Sequence, residues 1–127
     1  MDTAVDCKIK RMSLQLLVAD LDRSVEFYTK KLFFEVEFRY EEFYVGIIKD
    51  GFSIHLKSGK PSFEGFEIKK DYEHINIIFS VQEIEHMYED ILGKSVQVIQ
   101  DLRDMPYGKE FYISDPDGHI IAFVEEP

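Results

Sequence analysis

The sequence predicts an α+β fold of two tandem βαβββ modules that form a cleft between curved mixed sheets. Three observations predict it. A strand, helix and three-strand order occurs twice, two Asp-Gly turns fall at matching places in that order, and the composition can fill a core. The chain has 127 residues, 45% of them apolar, with eleven phenylalanines and seven tyrosines. That length suits a single domain over residues 1–127, and that composition argues against disorder.

The first module, about residues 8–60, opens with the strand MSLQLLV at 12–18. In ADLDRSVEFYTKKL, Asp20 is placed to cap a helix whose Leu21, Val25, Tyr28 and Leu32 share one face. Strands FEVEFRY and FYVGIIK bracket the acidic turn Glu41–Glu42. Lys49-Asp50-Gly51 then turns tightly into the strand FSIHLKS. Residues 61–72, PSFEGFEIKKDY, carry a proline and a glycine and read as a linker.

The second module, about 73–127, repeats the order. HINIIFS is a strand, and VQEIEHMYEDIL is a helix burying Ile84, Met87, Tyr88 and Ile91. Ser95–Gln100 and Glu110–Ile113 are strands, and Asp115-Pro116-Asp117-Gly118 turns into the last strand, HIIAFVE. Tyr28 and Leu32 recur as Tyr88 and Leu92 at a spacing of 60, and Asp50-Gly51 recurs as Asp117-Gly118 at a spacing of 67. The difference places a longer loop around Asp104–Gly108. One such unit has a single helix and cannot bury both faces of its sheet, so two must cover each other.

Charge and cysteine content narrow the partners. The net charge is −10; residues 12–60 hold eight acids and seven bases, whereas residues 73–127 hold twelve acids and three bases. Such a surface repels phosphate backbones and anionic lipid, so neither nucleic acid nor membrane is an expected partner. A single cysteine, Cys7, fits a reducing compartment, and with no apolar leader or span the expected location is cytoplasmic.

The segments LLVADLDRSVEFYTKKLFFE and PYGKEFYISDPDGHIIAFVEEP resemble the vicinal oxygen chelate superfamily, which includes glyoxalase I, the bleomycin-resistance proteins and the extradiol dioxygenases. The likeness runs from Met12 to the C-terminus and is nearest the bleomycin-resistance-like members. It implies up to four metal ligands, one early in the first strand and one in the last strand of each module. Those positions are Ser13 and His74, then His55 and Ala122. Only His55 and His74 are good metal ligands, which is short of the three donors a catalytic divalent ion requires. Glu125 is three residues beyond Ala122 and so falls on the opposite strand face.

Period-two alternation puts Ser13 and Gln15, Ser53, His55 and Lys57, and His74 and Asn76 on polar faces opposite apolar ones. Those faces suit a ligand-lining surface. Phe38, Tyr40, Phe43 and Tyr44 flank the first hairpin, and Tyr107, Phe111 and Tyr112 flank its counterpart. Tyr107 and Phe111, beside Pro106 and Gly108, are the first choices for stacking on a flat ligand. His86 lies among acids on a helix and reads as a surface residue, and His119 as the end of a turn. Asp115 and Asp117 do not complete a calcium loop, which needs acids where Ile113 and Val124 stand.

The leading expectation is a homodimeric, metal-free protein that sequesters a small, flat or cationic organic molecule, with no cofactor. The ligand-binding set is His55, His74, Ser13, Gln15, Asn76, Tyr107 and Phe111. Two alternatives stay open: a metal-dependent lyase, isomerase or dioxygenase with a divalent metal on His55 and His74, and an interaction or regulatory module with a vestigial cleft.

Overall fold

The structure, a computed structural model, describes residues 5–59 and 75–127. The expected linker and His74 therefore lie outside the described residues. Two four-stranded mixed sheets carry the fold. The first comprises β1 (Ser13–Val18), β2 (Glu35–Tyr40), β3 (Tyr44–Lys49) and β4 (Phe52–Ser58); the second comprises β5 (Ile77–Ser80), β6 (Gln97–Met105), β7 (Gly108–Ser114) and β8 (Ile120–Glu125). Their strand orders, β1-β4-β3-β2 and β5-β8-β7-β6, are the same order used twice. In each sheet the first and last strands pair in parallel and the other pairs are antiparallel. The duplication read from the sequence is present in the strand pairing.

Helix α1 (Leu21–Glu26) starts where Asp20 accepts a hydrogen bond from Arg23 N at 3.1 Å. It runs into a π-helical turn, Phe27–Lys31, which the sequence pattern did not announce. The wider turn accommodates the burial of Phe27 and Tyr28 together, their rings meeting edge to face at 5.2 Å. Helix α2 (Ile84–Leu92) is shorter than the expected segment and buries Ile84 and Ile91. Glu83 before it has φ 54° and supplies no side-chain cap. Glu125 on β8 caps it instead, accepting from Glu83 N at 3.1 Å and Ile84 N at 3.0 Å.

The longer loop expected around Asp104–Gly108 is a correction. Strand β6 runs through to Met105, and two register shifts, between Val98 and Gln100 and between Gln100 and Arg103, absorb the additional residues as bulges. A tight turn at Pro106-Tyr107 joins β6 to β7. Asp50 and Gly51, at φ 52° and 85°, form the mirror-image hairpin turn expected of their sequence.

The helix-facing sides of both sheets merge into one core. Leu16, Val18, Val45, Ile47, Ile54 and Leu56 join Ile77, Phe111, Ile113, Ile121 and Phe123 beneath Leu21, Tyr28, Leu32, Ile84 and Ile91. At about 25 cal/mol per Å² of apolar area, this shared burial is the main force holding the modules together. Among the described residues, no helix is long and apolar enough to cross a membrane.

Candidate functional site

The other face of the first sheet is open, and strand register assembles a row across it. Gln15 on β1 lies opposite His55 on β4, His55 opposite Gly46 on β3, and Gly46 opposite Phe38 on β2. Gly46 has no side chain to stand up from the sheet, so the ring of Phe38 lies across the vacant position. That ring meets the His55 imidazole edge to face at 5.1 Å and stacks near-parallel to Tyr44 at 6.1 Å and 14°. Tyr44 in turn meets His55 at 5.5 Å.

Hydrogen bonds fix the polar part of the row. The Tyr44 hydroxyl donates to Gln15 Oε1 at 2.9 Å and lies 3.0 Å from His55 Nδ1. One row along, Ser13 Oγ donates to Ser53 Oγ at 3.0 Å. At the rim Arg11 pairs with Glu37, and hydrogen bonding to that guanidinium holds the Glu37 carboxyl below its ordinary range. The face is thus an aromatic wall beside a short polar stripe. It can stack a planar molecule and exchange a few directed hydrogen bonds with it.

Of the sequence-selected residues, Ser13, Gln15 and His55 come together here. Asn76 and Tyr107 belong to the second module. Asn76 precedes β5 and accepts from Ile120 N at 2.8 Å, extending the ladder. Tyr107, half-exposed in the hairpin turn, donates to Glu110 Oε1 at 2.6 Å. Phe111 requires correction: it is fully buried, stacked on Phe123 at 5.0 Å and against Tyr88 at 5.1 Å. Alternation along β7 turns Phe111 to the helices and gives the opposite face to Glu110 and Tyr112.

Glu110 is the group on that second face that sequence reasoning missed. The residue is 2% exposed, and its carboxylate accepts from Tyr107, from Arg103 at 2.7 and 2.9 Å, and from Tyr112 at 2.9 Å. Burial pushes its pKa up, but the three hydrogen-bonding partners outweigh burial and hold it below the ordinary glutamate value. The same hydrogen bond pushes the Tyr107 phenol up to about 12. Phe38, Tyr44 and Gly46 were also not selected as site residues; the available signal was a glycine in mid-strand, which marks close approach by another group.

The four positions implied to hold metal can be tested by their donors. Ala122 offers none, the Ser13 hydroxyl is bonded to Ser53, and His55 Nδ1 is bonded to Tyr44. The three described positions do not assemble a three-donor divalent site. Asp115, Asp117 and His119 do cluster, yet each carboxylate oxygen already accepts from the protein. Asp115 receives Tyr28 Oη at 2.7 Å, His119 Nδ1 at 2.7 Å and two backbone amides. Asp117 receives Ala19 N, Arg23 and Ser24 Oγ. That group is a clasp between modules, fixing the β7–β8 turn to the start of α1.

A cavity of about 670 Å³ opens where the modules meet. Met12, Leu14, Phe34 and Phe52 line one side, Ile78 and Phe79 the other, and Ser53 and Asn76 also reach it. Ser53 therefore links the cavity to the polar stripe of the first sheet.

Known proteins share this fold. TnmS3, an antibiotic binding protein from Streptomyces sp. CB03234, superposes with a TM-score of 0.76 at 14% identity, over 97% of this chain and 100% of that one. TioX from Micromonospora sp. ML1 gives 0.74 at 17% identity, over 93% and 99%. The bleomycin-binding protein from bleomycin-producing Streptomyces verticillus, solved with copper(II)-bleomycin, gives 0.71 at 17% identity, over 96% and 100%. At these identities the likeness shows the fold alone. The family model described as Glyoxalase/Bleomycin resistance protein/Dioxygenase superfamily matches residues 9–123, so the chain belongs to that superfamily.

Proposed function

We propose that the protein, as a single domain, binds and sequesters a small, flat organic molecule, without a metal ion, on the open face that carries His55. The observation that carries this reading is the wall of Phe38, Tyr44 and His55, with the Phe38 ring lying over Gly46. A planar ring can stack there at low entropic cost while Gln15, Ser13 and the imidazole meet its polar edge. A donor set depleted by Ala122 and Ser13 favours holding over metal-assisted chemistry. The surplus of acids in residues 73–127 favours a cationic ligand.

A homodimer completes the site in this reading. Strands β1 and β5 are each the edge of their sheet, and Met12, Phe52 and Ile78 are 77%, 67% and 64% exposed around them. Covering such edges with a second copy removes apolar surface from water and sets the second module's face, with Asn76, Tyr107 and Tyr112, against the first module's face of the partner. The fully buried Phe111 has no part in this set.

The test is thermal unfolding with the planar cation proflavine, the planar anion 9-anthracenecarboxylate, and zinc or nickel ions alone. Proflavine is expected to raise the melting temperature by mass action, the anion to do so less, and the metals not at all. A rise with metal alone would instead support the metal-dependent enzyme, and no saturable effect of any probe would support the interaction module.

A further inference from the structure

We infer that Gln15, acting through Tyr44, fixes the tautomer of His55 and makes the site selective for ligands that carry a hydrogen-bond donor. The inference rests on the proposed binding face. The Tyr44 hydroxyl has a single proton and two polar neighbours, Gln15 Oε1 at 2.9 Å and His55 Nδ1 at 3.0 Å. A carbonyl oxygen can only accept, so the proton goes to Gln15. The phenol oxygen then turns lone pairs toward His55, and the contact at 3.0 Å is a hydrogen bond only if Nδ1 carries the ring proton.

The consequence lies at the far side of the ring. In the neutral Nδ1–H tautomer, Nε2 has a lone pair and no proton. The described residues offer Nε2 no hydrogen-bond donor, and the imidazole is partly exposed on the open face. The Phe38 ring packs edge to face on the imidazole at 5.1 Å and limits its rotation, so the lone pair has a set direction. A ligand in this position is recognised by an N–H or O–H group placed at its aromatic edge, such as a phenol or a protonated aryl amine. An aryl ether or carbonyl at that edge would meet a lone pair and lose its hydration without recompense. Gln15 and Tyr44 are thus positioning residues, acting through His55.

Nitrogen-15 NMR of the neutral imidazole reads the tautomer directly in the free protein. Wild type is expected to be Nδ1–H. Gln15→Leu removes the acceptor but leaves Tyr44, whose proton then turns to Nδ1 and converts His55 to Nε2–H. Gln15→Glu, still an acceptor, retains Nδ1–H. A wild-type ring in the Nε2–H form, or a Gln15→Leu protein with an unchanged tautomer, overturns the inference. Binding supplies the second readout. Wild type is expected to prefer 2-naphthol to 2-methoxynaphthalene by about three- to tenfold, the range of one net hydrogen bond, and Gln15→Leu to lose that preference. Equal affinities in wild type overturn the donor selectivity. If neither naphthalene binds, the proposed function fails, while the spectrum of the free protein still decides the tautomer.

Discussion

The ring of Phe38 occupies the space above Gly46 that a side chain would otherwise fill. A β-carbon built on Gly46 would lie 2.7 Å from Phe38 Cδ2 and closer still to its Cε2. Gly46→Ala therefore has to push the ring off His55 and Tyr44. The expected cost is about 1–3 kcal/mol, as for other overpacked positions, measured by urea unfolding. The same substitution made in a Phe38→Ala background should cost much less, since nothing is displaced. Proflavine affinity should fall in Gly46→Ala; retained affinity would show that the aromatic wall is not where the probe binds.

The Asp117 carboxylate ties the second module to the first at three donors, Ala19 N at 2.9 Å, Ser24 Oγ at 3.1 Å and Arg23 at 3.3 Å. Asp117→Ala leaves the fully buried Ser24 hydroxyl and a helix-entry amide without their partner. The expected loss is about 2–4 kcal/mol, since donors to a charged group are orphaned. Tyr28→Phe removes a donor from Asp115 but leaves that acceptor three others, so it should cost only about 1 kcal/mol. A smaller effect for Asp117→Ala than for Tyr28→Phe in denaturant unfolding would contradict the clasp.

Much of the fold was legible because repetition and alternation are local signals. The Asp20 cap and the Asp50-Gly51 turn could be read from residues a few positions apart, and the repeated element order by matching two such local readings 60 to 67 residues apart; the structure has all three. The π-helical turn could not, because it answers to the simultaneous burial of Phe27 and Tyr28 against a distant module. The length of β6 was hidden for a related reason: bulges at Val98–Arg103 break the period-two pattern that marks a strand. The same parity explains the site. Clean alternation in β4 and β1 puts His55 and Gln15 on the open face, opposite each other in register. Phe111 is an aromatic near a turn, but its pleat turns it to the core, and proximity to a turn does not carry that parity. The cap on α2 by Glu125 joins residues 42 positions apart, a distance at which no sequence rule for caps operates.

That cap gives a third prediction. Helix α2 has no side-chain cap of its own, and Glu125 stands in from β8 with both carboxylate oxygens. Glu125→Ala should destabilise the protein by about 1 kcal/mol, the usual worth of an N-cap. Hydrogen exchange locates the effect. The amides of Glu83 and Ile84 should exchange faster, while those in the middle of β8 keep their protection. Uniform loss of protection would point to general destabilisation and not to a lost cap.

The Tyr107–Glu110 pair makes stability depend on pH at both ends of the scale. The Tyr107 phenol is raised to about 12, chiefly by its hydrogen bond to Glu110. An unfolded tyrosine ionises near 10, so between those values the unfolded chain releases a proton that the native protein keeps. The contribution is complete below the unfolded value and is lost as pH rises through the folded one. Glu110 has the opposite sign, because its folded pKa is depressed by Tyr107, Arg103 and Tyr112 against the pull of burial. Its contribution is present above the ordinary glutamate value and is lost as pH falls through the lower folded one. Glu110→Gln should therefore flatten the acid limb of the stability profile and bring the Tyr107 titration back toward 10. Tyrosinate absorbance, taken as the difference from Tyr107→Phe, follows that titration directly. An unshifted Tyr107 curve in Glu110→Gln would mean that the carboxylate does not hold the phenol.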